Sequence, residues 1–304
     1  MIKEDDGIFD KQQLIAIRKQ AQKALESACA FGCYPTPVQQ VMASAKVVVV
    51  EENILDEGFI NKLRKRAGDT LKRAIDKILG VIDIKARLIY IDHSLHLIKQ
   101  KFLKLHETAH IFLPWQRDIY SVVEDCKQTI SPEVSESFDR EANQFASEVL
   151  FQLNDFTIRA SDQQFGIKVP MTLSKKYGAS IYSSVRRYVA TNHRSCVVLI
   201  IDPPELVLGD GFVANLRRVV TSEEFTKTMG IINWSEQFTP DDEIGAMIPI
   251  NGRKMSRPRN LPLRDTNGDL HECVAESFTQ GYQVFVLIHS VKKLTSKTVL
   301  FFND

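Results

Sequence analysis

The stretch Lys101-Phe-Leu-Lys-Leu-His-Glu-Thr-Ala-His110, continued by Ile111-Phe112-Leu113, decides the reading of this chain. Its apolar residues recur every three or four positions, which predicts a helix from Ile98 to Leu113 that stops at Pro114. His106 and His110 stand four apart, so on a helix their imidazoles project from one face, one turn above the other. Two nitrogens so placed can grip one metal ion without bending the backbone, and tetrahedral zinc suits them, with Zn–N bonds of about 2.0–2.1 Å. Glu107 sits beside the first imidazole. A carboxylate there can take a proton from a water that the metal has acidified to a pKa of roughly 7. The plainer reading is a helix with two surface histidines. The setting weakens it, because Phe102, Leu103, Leu105, Ala109, Ile111 and Phe112 make the helix largely apolar. Imidazoles on a buried helix need polar partners, and a metal supplies them.

A catalytic zinc takes a third protein ligand and keeps a fourth position open. The next predicted helix, opened by Ser131-Pro132 and running to about Leu150, offers the acids. Stepping about 100° per residue puts Phe138, Ala142, Phe145, Ala146, Val149 and Leu150 on one apolar arc. Asp139 falls within that arc, Glu141 just outside its opposite edge and Glu148 close to the edge. A carboxylate turned inward must be compensated, so Asp139 is the expected third ligand and Glu141 the alternative. Asn143, one turn beyond Asp139, could steady a ligating side chain. Small Ala142 and Ala146 would let the two helices approach closely. The competing reading pairs Asp139 or Glu141 with Arg140 or with a lysine on the solvent side.

Outward from these helices the chain reads as an ordinary globular protein. Its 304 residues suggest two or three domains, and 44% hydrophobic with 25% charged residues excludes a disordered, collagen-like or coiled-coil chain. The 39 basic and 38 acidic residues nearly cancel, so overall charge argues for neither nucleic acid nor membrane. Cys29, Cys33, Cys126, Cys196 and Cys273 form no paired CxxC set, against both a disulfide framework and a cysteine zinc module. No stretch resembles a signal peptide, and the apolar runs Val47–Val50 and Cys196–Ile201 are far too short to span a bilayer. The expected compartment is a reducing cytoplasm, with no membrane partner.

The expected helices upstream are 11–31, with Leu14, Ile17, Ala21, Leu25 and Ala28 as the apolar stripe, a short one over Val38–Ala45, and a basic amphipathic one over 59–79. Strands are expected at Lys46–Val50 and Ala86–Ile91. Residues 167–194 carry six basic residues and no acidic one, in two short helices bent at Gly178. That pattern fits a helix-turn-helix unit, in which Lys175, Lys176, Arg186 and Arg187 could touch DNA phosphates. The blander reading, a packing scaffold, has slightly the better of it. Beyond Arg194 the pattern is mixed α/β, with strands at Cys196–Ile201, Leu206–Leu208 and Tyr282–Val291, an amphipathic stretch at Ser222–Met229 and a basic Pro-rich loop at 253–264. His93 and His96 read as surface groups, and Tyr120 and Arg186 could stabilise an oxyanion by type only.

Three stretches together, Arg87-Leu-Ile-Tyr-Ile-Asp92, Lys101–His110 and Asp139-Arg-Glu-Ala-Asn-Gln-Phe-Ala-Ser-Glu-Val-Leu150, resemble the ImmA/IrrE metallopeptidases over about residues 35–155 and more loosely to 194. The resemblance implies an α+β fold: a gluzincin-like zinc peptidase domain at 1–155, a helix-turn-helix-like unit at 156–194 and a sensor-like domain resembling GAF at 195–304. It implies a peptidase that cleaves a helix-turn-helix repressor and so derepresses stress-response or mobile-element genes. The family's metal-ligating glutamate falls on Asp139 and its supporting asparagine on Asn143, so resemblance and helix face agree. Aspartate is one methylene shorter, Ala109 stands where glycine is common, and Val149-Leu150-Phe151-Gln152 replaces the usual Leu-Leu-Met-Pro ending.

The expected activity is therefore zinc-dependent endoproteolysis, with manganese as a substitute metal, zinc on His106, His110 and Asp139, and Glu107 as general base. Two rivals remain. One is a DNA-binding regulator with a vestigial metal site. The other is a toxin or phage-defence protease triggered by a small-molecule signal bound at 195–304.

Overall fold

The computed structural model describes residues 9–50, 80–126, 131–207, 211–250, 252 and 254–293. The expected helix at 59–79 lies outside them. The chain divides into two compact units, Asp6–Phe156 with Leu173–Ser180, and Thr157–Thr172 with Ile181–Asp304.

The first unit opens with helix α1 (Lys11–Ser27), capped by Asp10, whose carboxylate accepts the backbone N–H groups of Gln12 and Gln13. Its inward stripe is Ile17, Ala21, Ala24 and Leu25. Helix α2 (Val38–Ser44) leads to β1 (Val48–Val49), which runs parallel to β3 (Leu88–Ile91); β2 (Gly80–Asp83) pairs β3 antiparallel on its other side. The histidine helix, α3 (Leu97–Phe112), starts on a cap from the His96 imidazole, which accepts the Ile98 N–H. It packs against β2, β3 and the later helix α5 (Pro132–Leu150).

Pro114 ends α3 as expected, but it also opens a further helix, α4 (Pro114–Cys126). Proline suits a first helical position because its missing N–H would find no partner there. Helix α5 has Ser131 as its cap and Pro132 in its first turn. Its core side chains are Phe138, Ala142, Phe145, Ala146, Val149 and Leu150, and Phe145 stacks on Phe112 of α3 at 5.5 Å between ring centroids. Buried Ala109 and Ala142 let the two helices come together, and α1 covers α5 from its other side.

Helices α6 (Asp155–Ser161) and α7 (Lys168–Tyr177) straddle the division between the units, and α8 (Ile181–Ala190) belongs to the second. Gly178 turns the chain after α7 with φ +66°, a left-handed conformation that glycine adopts without strain. A Cβ at Gly178 would come within 3.0 Å of the Pro35 side chain, so the turn passes close to the segment between α1 and α2.

The second unit is built on an antiparallel sheet of β4 (Cys196–Ile201), β5 (Glu205–Val207), β6 (Gly211–Thr221), β7 (Gln237–Phe238), β8 (Arg259–Arg264), β9 (Leu270–Thr279) and β10 (Val284–Lys293). The order is β5-β6-β4-β10-β9-β8, with β7 paired to β6. Helix α9 (Glu223–Met229) sits on one face. Phe225 and Met229 pack there with Val197, Leu199, Ile201, Val284 and Val286. On the other face Val198, Ile200, Phe285 and Leu287 are fully buried, and α8 packs on β4 and β6. Burial on both faces explains why β4 is a continuous apolar run rather than an alternating one. The fold is thus mixed α+β, with the strands of this sheet antiparallel. Part of the expected basic loop, Arg259–Arg264, is strand β8. Paired against β9, this Pro-containing segment sits at the sheet edge, where a missing N–H costs no ladder bond.

Candidate metal centre

The i, i+4 spacing on α3 brings the two imidazoles to 5.3 Å between ring centroids, at 83° to one another. Asp139, on the second turn of α5, comes from the facing helix: its Oδ1 lies 3.7 Å from His106 Nε2. One donor atom from each of His106, His110 and Asp139 falls within 4.8 Å of the others. Tetrahedral zinc with bonds of about 2.0–2.1 Å sets neighbouring donors roughly 3.4 Å apart, so the His106–Asp139 pair is within a few tenths of an ångström of that separation. Two imidazoles and a carboxylate are a donor set zinc takes, and Asp139, with its side chain 57% exposed, leaves one flank of the group open.

The outer partners of the imidazoles are amide oxygens. His106 Nδ1 lies 3.0 Å from Asn143 Oδ1, and His110 Nδ1 lies 2.7 Å from Gln116 Oε1. Asn143 therefore stands against the first histidine, one turn along α5 from Asp139. Tyr120 of α4 sets its ring edge-on to His110, 5.5 Å between centroids.

Asp139 is exposed, although the helix-face expectation turned it toward the core; Glu141 and Glu148 are the buried acids of α5. The buried arc is wider than its apolar residues, because α1 packs on the flank carrying Glu141 and Glu148. Each buried acid has its own donors. Glu141 Oε1 accepts from Gln13 at 2.6 Å, and its Oε2 accepts from the Trp115 indole at 2.7 Å and the Gln116 amide at 2.6 Å. Glu148 accepts from Arg18 and Gln144. The metal-competent group among the described residues takes in Asp139 and leaves out Glu141.

Burial and mutual charge set the protonation of the group. Burial is the largest influence on His110 and, with the His106 charge, pulls its pKa down to about 4. Burial lifts Glu107 to about 7, and the Asp139 charge adds to that while His106 opposes it. For His106 burial pulls downward, but hydrogen bonding to Asp139 and the Glu107 and Asp139 charges outweigh it, leaving the pKa raised. Burial, assisted by Asp139 and Glu107, lifts the Tyr120 phenol to about 12, so its hydroxyl stays a donor.

The four basic residues read as DNA contacts differ in exposure. Lys175 is exposed; Lys176 lies over the Tyr34 ring at 4.3 Å; Arg186 lies over the Tyr182 ring at 5.4 Å; Arg187 is buried. His93 Nε2 meets the Val50 carbonyl at 3.1 Å, and His96 caps α3. A cavity of about 580 Å³ runs along β1 between Gln39, Val47–Val49, His93 and Lys104, and shares no lining residue with the histidine group.

The residues that sequence reasoning missed are Gln13, Trp115 and Gln116. The last two fall in the first turn of α4, and Pro114 was the available signal: after an apolar helix it marks a start as readily as a stop.

Residues 61–187 match the family model described as the IrrE N-terminal-like domain, of the peptidase M78 family. No curated protein matches the chain. Among solved structures, the chain is similar to one described as a Mycobacterium tuberculosis transcriptional regulator, at 13% identity and a TM-score of 0.49, over 91% of this chain and 75% of that one. No helix among the described residues is long and apolar enough to cross a membrane.

Proposed function

We propose, from the match of residues 61–187 to the IrrE N-terminal-like family model, that the chain is a metal-dependent endopeptidase whose substrate is a helix-turn-helix repressor. The observation that carries this reading is the convergence of His106, His110 and Asp139 within 4.8 Å on two facing helices, with Glu107 buried beside them. His106 and His110 would hold the metal through Nε2 and Asp139 through a carboxylate oxygen, with zinc the metal the donor set favours and manganese a substitute. A divalent metal in that position polarises a water and a peptide carbonyl.

The chain's own residues account for the rest. Glu107, with a pKa lifted to about 7, is matched to accept a proton from the attacking water near neutral pH and return it to the leaving amine. Asn143 holds the His106 ring from behind. Tyr120 keeps its hydroxyl proton and can donate to the oxygen on which negative charge develops. The helix pair around Gly178 acts as a scaffold rather than a DNA reader, a view supported by the burial of Arg187 and the ring contacts of Lys176 and Arg186. Residues 195–304 would be the sensor-like part, and repressor cleavage would relieve repression of stress-response or mobile-element genes.

Two measurements test this. Metal analysis of the purified chain should find one divalent ion per molecule and none in His110→Ala. Incubation with helix-turn-helix repressors, read by mass spectrometry, should show one cut by the wild type. Glu107→Gln should keep its metal and slow that cut by roughly 10²–10⁴-fold. A wild-type chain free of metal after growth in zinc, or Glu107→Gln cleaving at full rate, sinks the proposal.

A further inference from the structure

We propose that Gln116 and Glu141 are positioning residues that fix the tautomer and orientation of His110, with Gln13 of the N-terminal helix and Trp115 as their anchors. This rests on the reading of His110 as a metal ligand.

Glu141 Oε2 takes the Trp115 indole N–H, a group that only donates, so this oxygen acts as an acceptor. The Phe138 carbonyl can only accept. Gln116 Nε2 lies 2.6 Å from Glu141 Oε2 and 3.1 Å from Phe138 O, so its two N–H bonds are both used. Two acceptors on one side of the amide fix which end is nitrogen, because hydrogen-bond partners are what tell the two ends of an amide apart. Gln116 Oε1 must then be the atom facing His110 Nδ1 at 2.7 Å, and an amide oxygen there requires the proton on Nδ1. With Nδ1 protonated, neutral His110 presents a bare lone pair at Nε2, on the side of the ring where His106 and Asp139 gather.

The chain of hydrogen bonds is closed and buried. Gln116 is fully buried, Glu141 is 6% exposed and His110 is 4% exposed. Glu141 has its second oxygen tied to Gln13 at 2.6 Å, so α1 closes off the carboxylate from the far side. Rotating Gln116 would set its N–H bonds against His110 and its carbonyl against Glu141 and Phe138, leaving buried groups unpaired. The arrangement therefore admits one tautomer. It also explains why Glu141, the closer of the buried α5 acids to the histidines in sequence, is not in the metal-competent group: its oxygens are occupied orienting a ligand's partner.

The test reads tautomer and metal separately. In the wild-type chain stripped with EDTA at pH 7.5, long-range ¹⁵N–¹H NMR should show His110 as the Nδ1–H form. Gln116→Leu should give a mixture of both forms and a zinc dissociation constant, by chelator competition, raised roughly 10- to 100-fold. Gln116→Glu, which turns carboxylate oxygens onto both Glu141 and the Phe138 carbonyl, should weaken zinc binding as well. His110 found as the Nε2–H form in the stripped wild type overturns the inference without any variant, as does Gln116→Leu binding zinc as tightly as wild type. A wild type that shows the Nδ1–H form yet binds no zinc would fail the metal reading and take the ligand-positioning role with it, whereas the first two outcomes leave the metal reading standing.

Discussion

Along β4, six consecutive residues from Cys196 to Ile201 are buried and five of them are hydrocarbon side chains. Along α5 the buried residues include two carboxylates, Glu141 and Glu148, and on α3 they include Glu107, Thr108 and His110. The two regions differ in how much of their interior is polar, and that sets what each can tolerate. Apolar burial is non-directional, so the sheet loses stability in proportion to volume removed. The helical pair depends on particular donors meeting particular acceptors, so a change of one atom type matters there even when volume is kept. The sheet is suited to hold a shape; the helical pair is suited to hold a charge.

The largest effect that checks this contrast is expected in the sheet. Phe285 is fully buried on the face that α8 covers. Phe285→Ala should cost about 3–5 kcal/mol in urea unfolding, with metal stoichiometry unchanged. A loss of zinc binding in that variant would show that the regions are not independent in this sense.

Next in size is a pH effect confined to the polar region, measured on the EDTA-stripped chain. His110 is held near pKa 4 and carries about 6.5 when unfolded, so the unfolded chain binds more protons between those values and stability falls as pH drops through that window. Glu107 is lifted to about 7 from an ordinary 4.5, so the folded chain binds more protons between those values and stability falls as pH rises. The two slopes oppose one another from about pH 4.5 to 6.5, and wild-type stability should be nearly flat there. His106, whose pKa is raised, adds a slope of the same sign as that of Glu107 near the top of that range. Glu107→Gln should expose the His110 slope, losing of the order of 2–3 kcal/mol on acidification across the window. His110→Ala should reverse the sign. Equal, flat profiles in both variants would mean that neither side chain is as buried as its position implies.

These effects also mark what the sequence could convey. The α3 histidines were legible because a four-residue spacing is converted to a shared face by helix geometry alone. The acid beside the imidazoles is legible only in part. Asp139 does stand 3.7 Å from His106, but it lies at the exposed rim and not within the buried arc, and the inward acids are Glu141 and Glu148. Helical periodicity ranks residues by their own polarity, and nothing in it knew that α1 would cover the other flank with Gln13 and Arg18. Helix α4 was missed for a similar reason, since Pro114 ends one helix and begins another and only the second event brings Gln116 to His110. In the sheet, β4 and β10 announced themselves as apolar runs. Strands β6 and β9 are harder to read, because Arg218 and His271 take buried positions while Val219 and Val274 take half-exposed ones, so side-chain polarity does not follow the alternating burial.

A smaller effect compares two serine caps. Ser222 is buried, and its hydroxyl accepts from the Phe225 and Cys196 backbone N–H groups while donating to the Arg194 carbonyl. Ser131, which opens α5, is exposed and lies 3.5 Å from the Val134 N–H. Ser222→Ala should cost about 1–2 kcal/mol, because it also strands buried backbone groups, and Ser131→Ala about 0.5 kcal/mol. Equal losses would mean that burial does not amplify a polar interaction in the sheet unit as it does around the histidines.

The smallest effect bears on the helix pair around Gly178. Lys175 is exposed, so Lys175→Ala should change stability by no more than about 0.5 kcal/mol. If this pair is a scaffold, duplex DNA retention should be weak, and its salt dependence should be the same for wild type and variant. A DNA reader predicts otherwise: removing one phosphate-neutralising cation lowers the slope of log affinity against log salt by about one. Arg187 cannot serve as the comparison, since it is buried and its removal would disturb packing as well as charge. Lys175 separates the two readings, because what its truncation takes from the surface is chiefly a cation. A slope reduced by about one in the gel-shift titration, with unfolding unchanged, would return this segment from support to recognition.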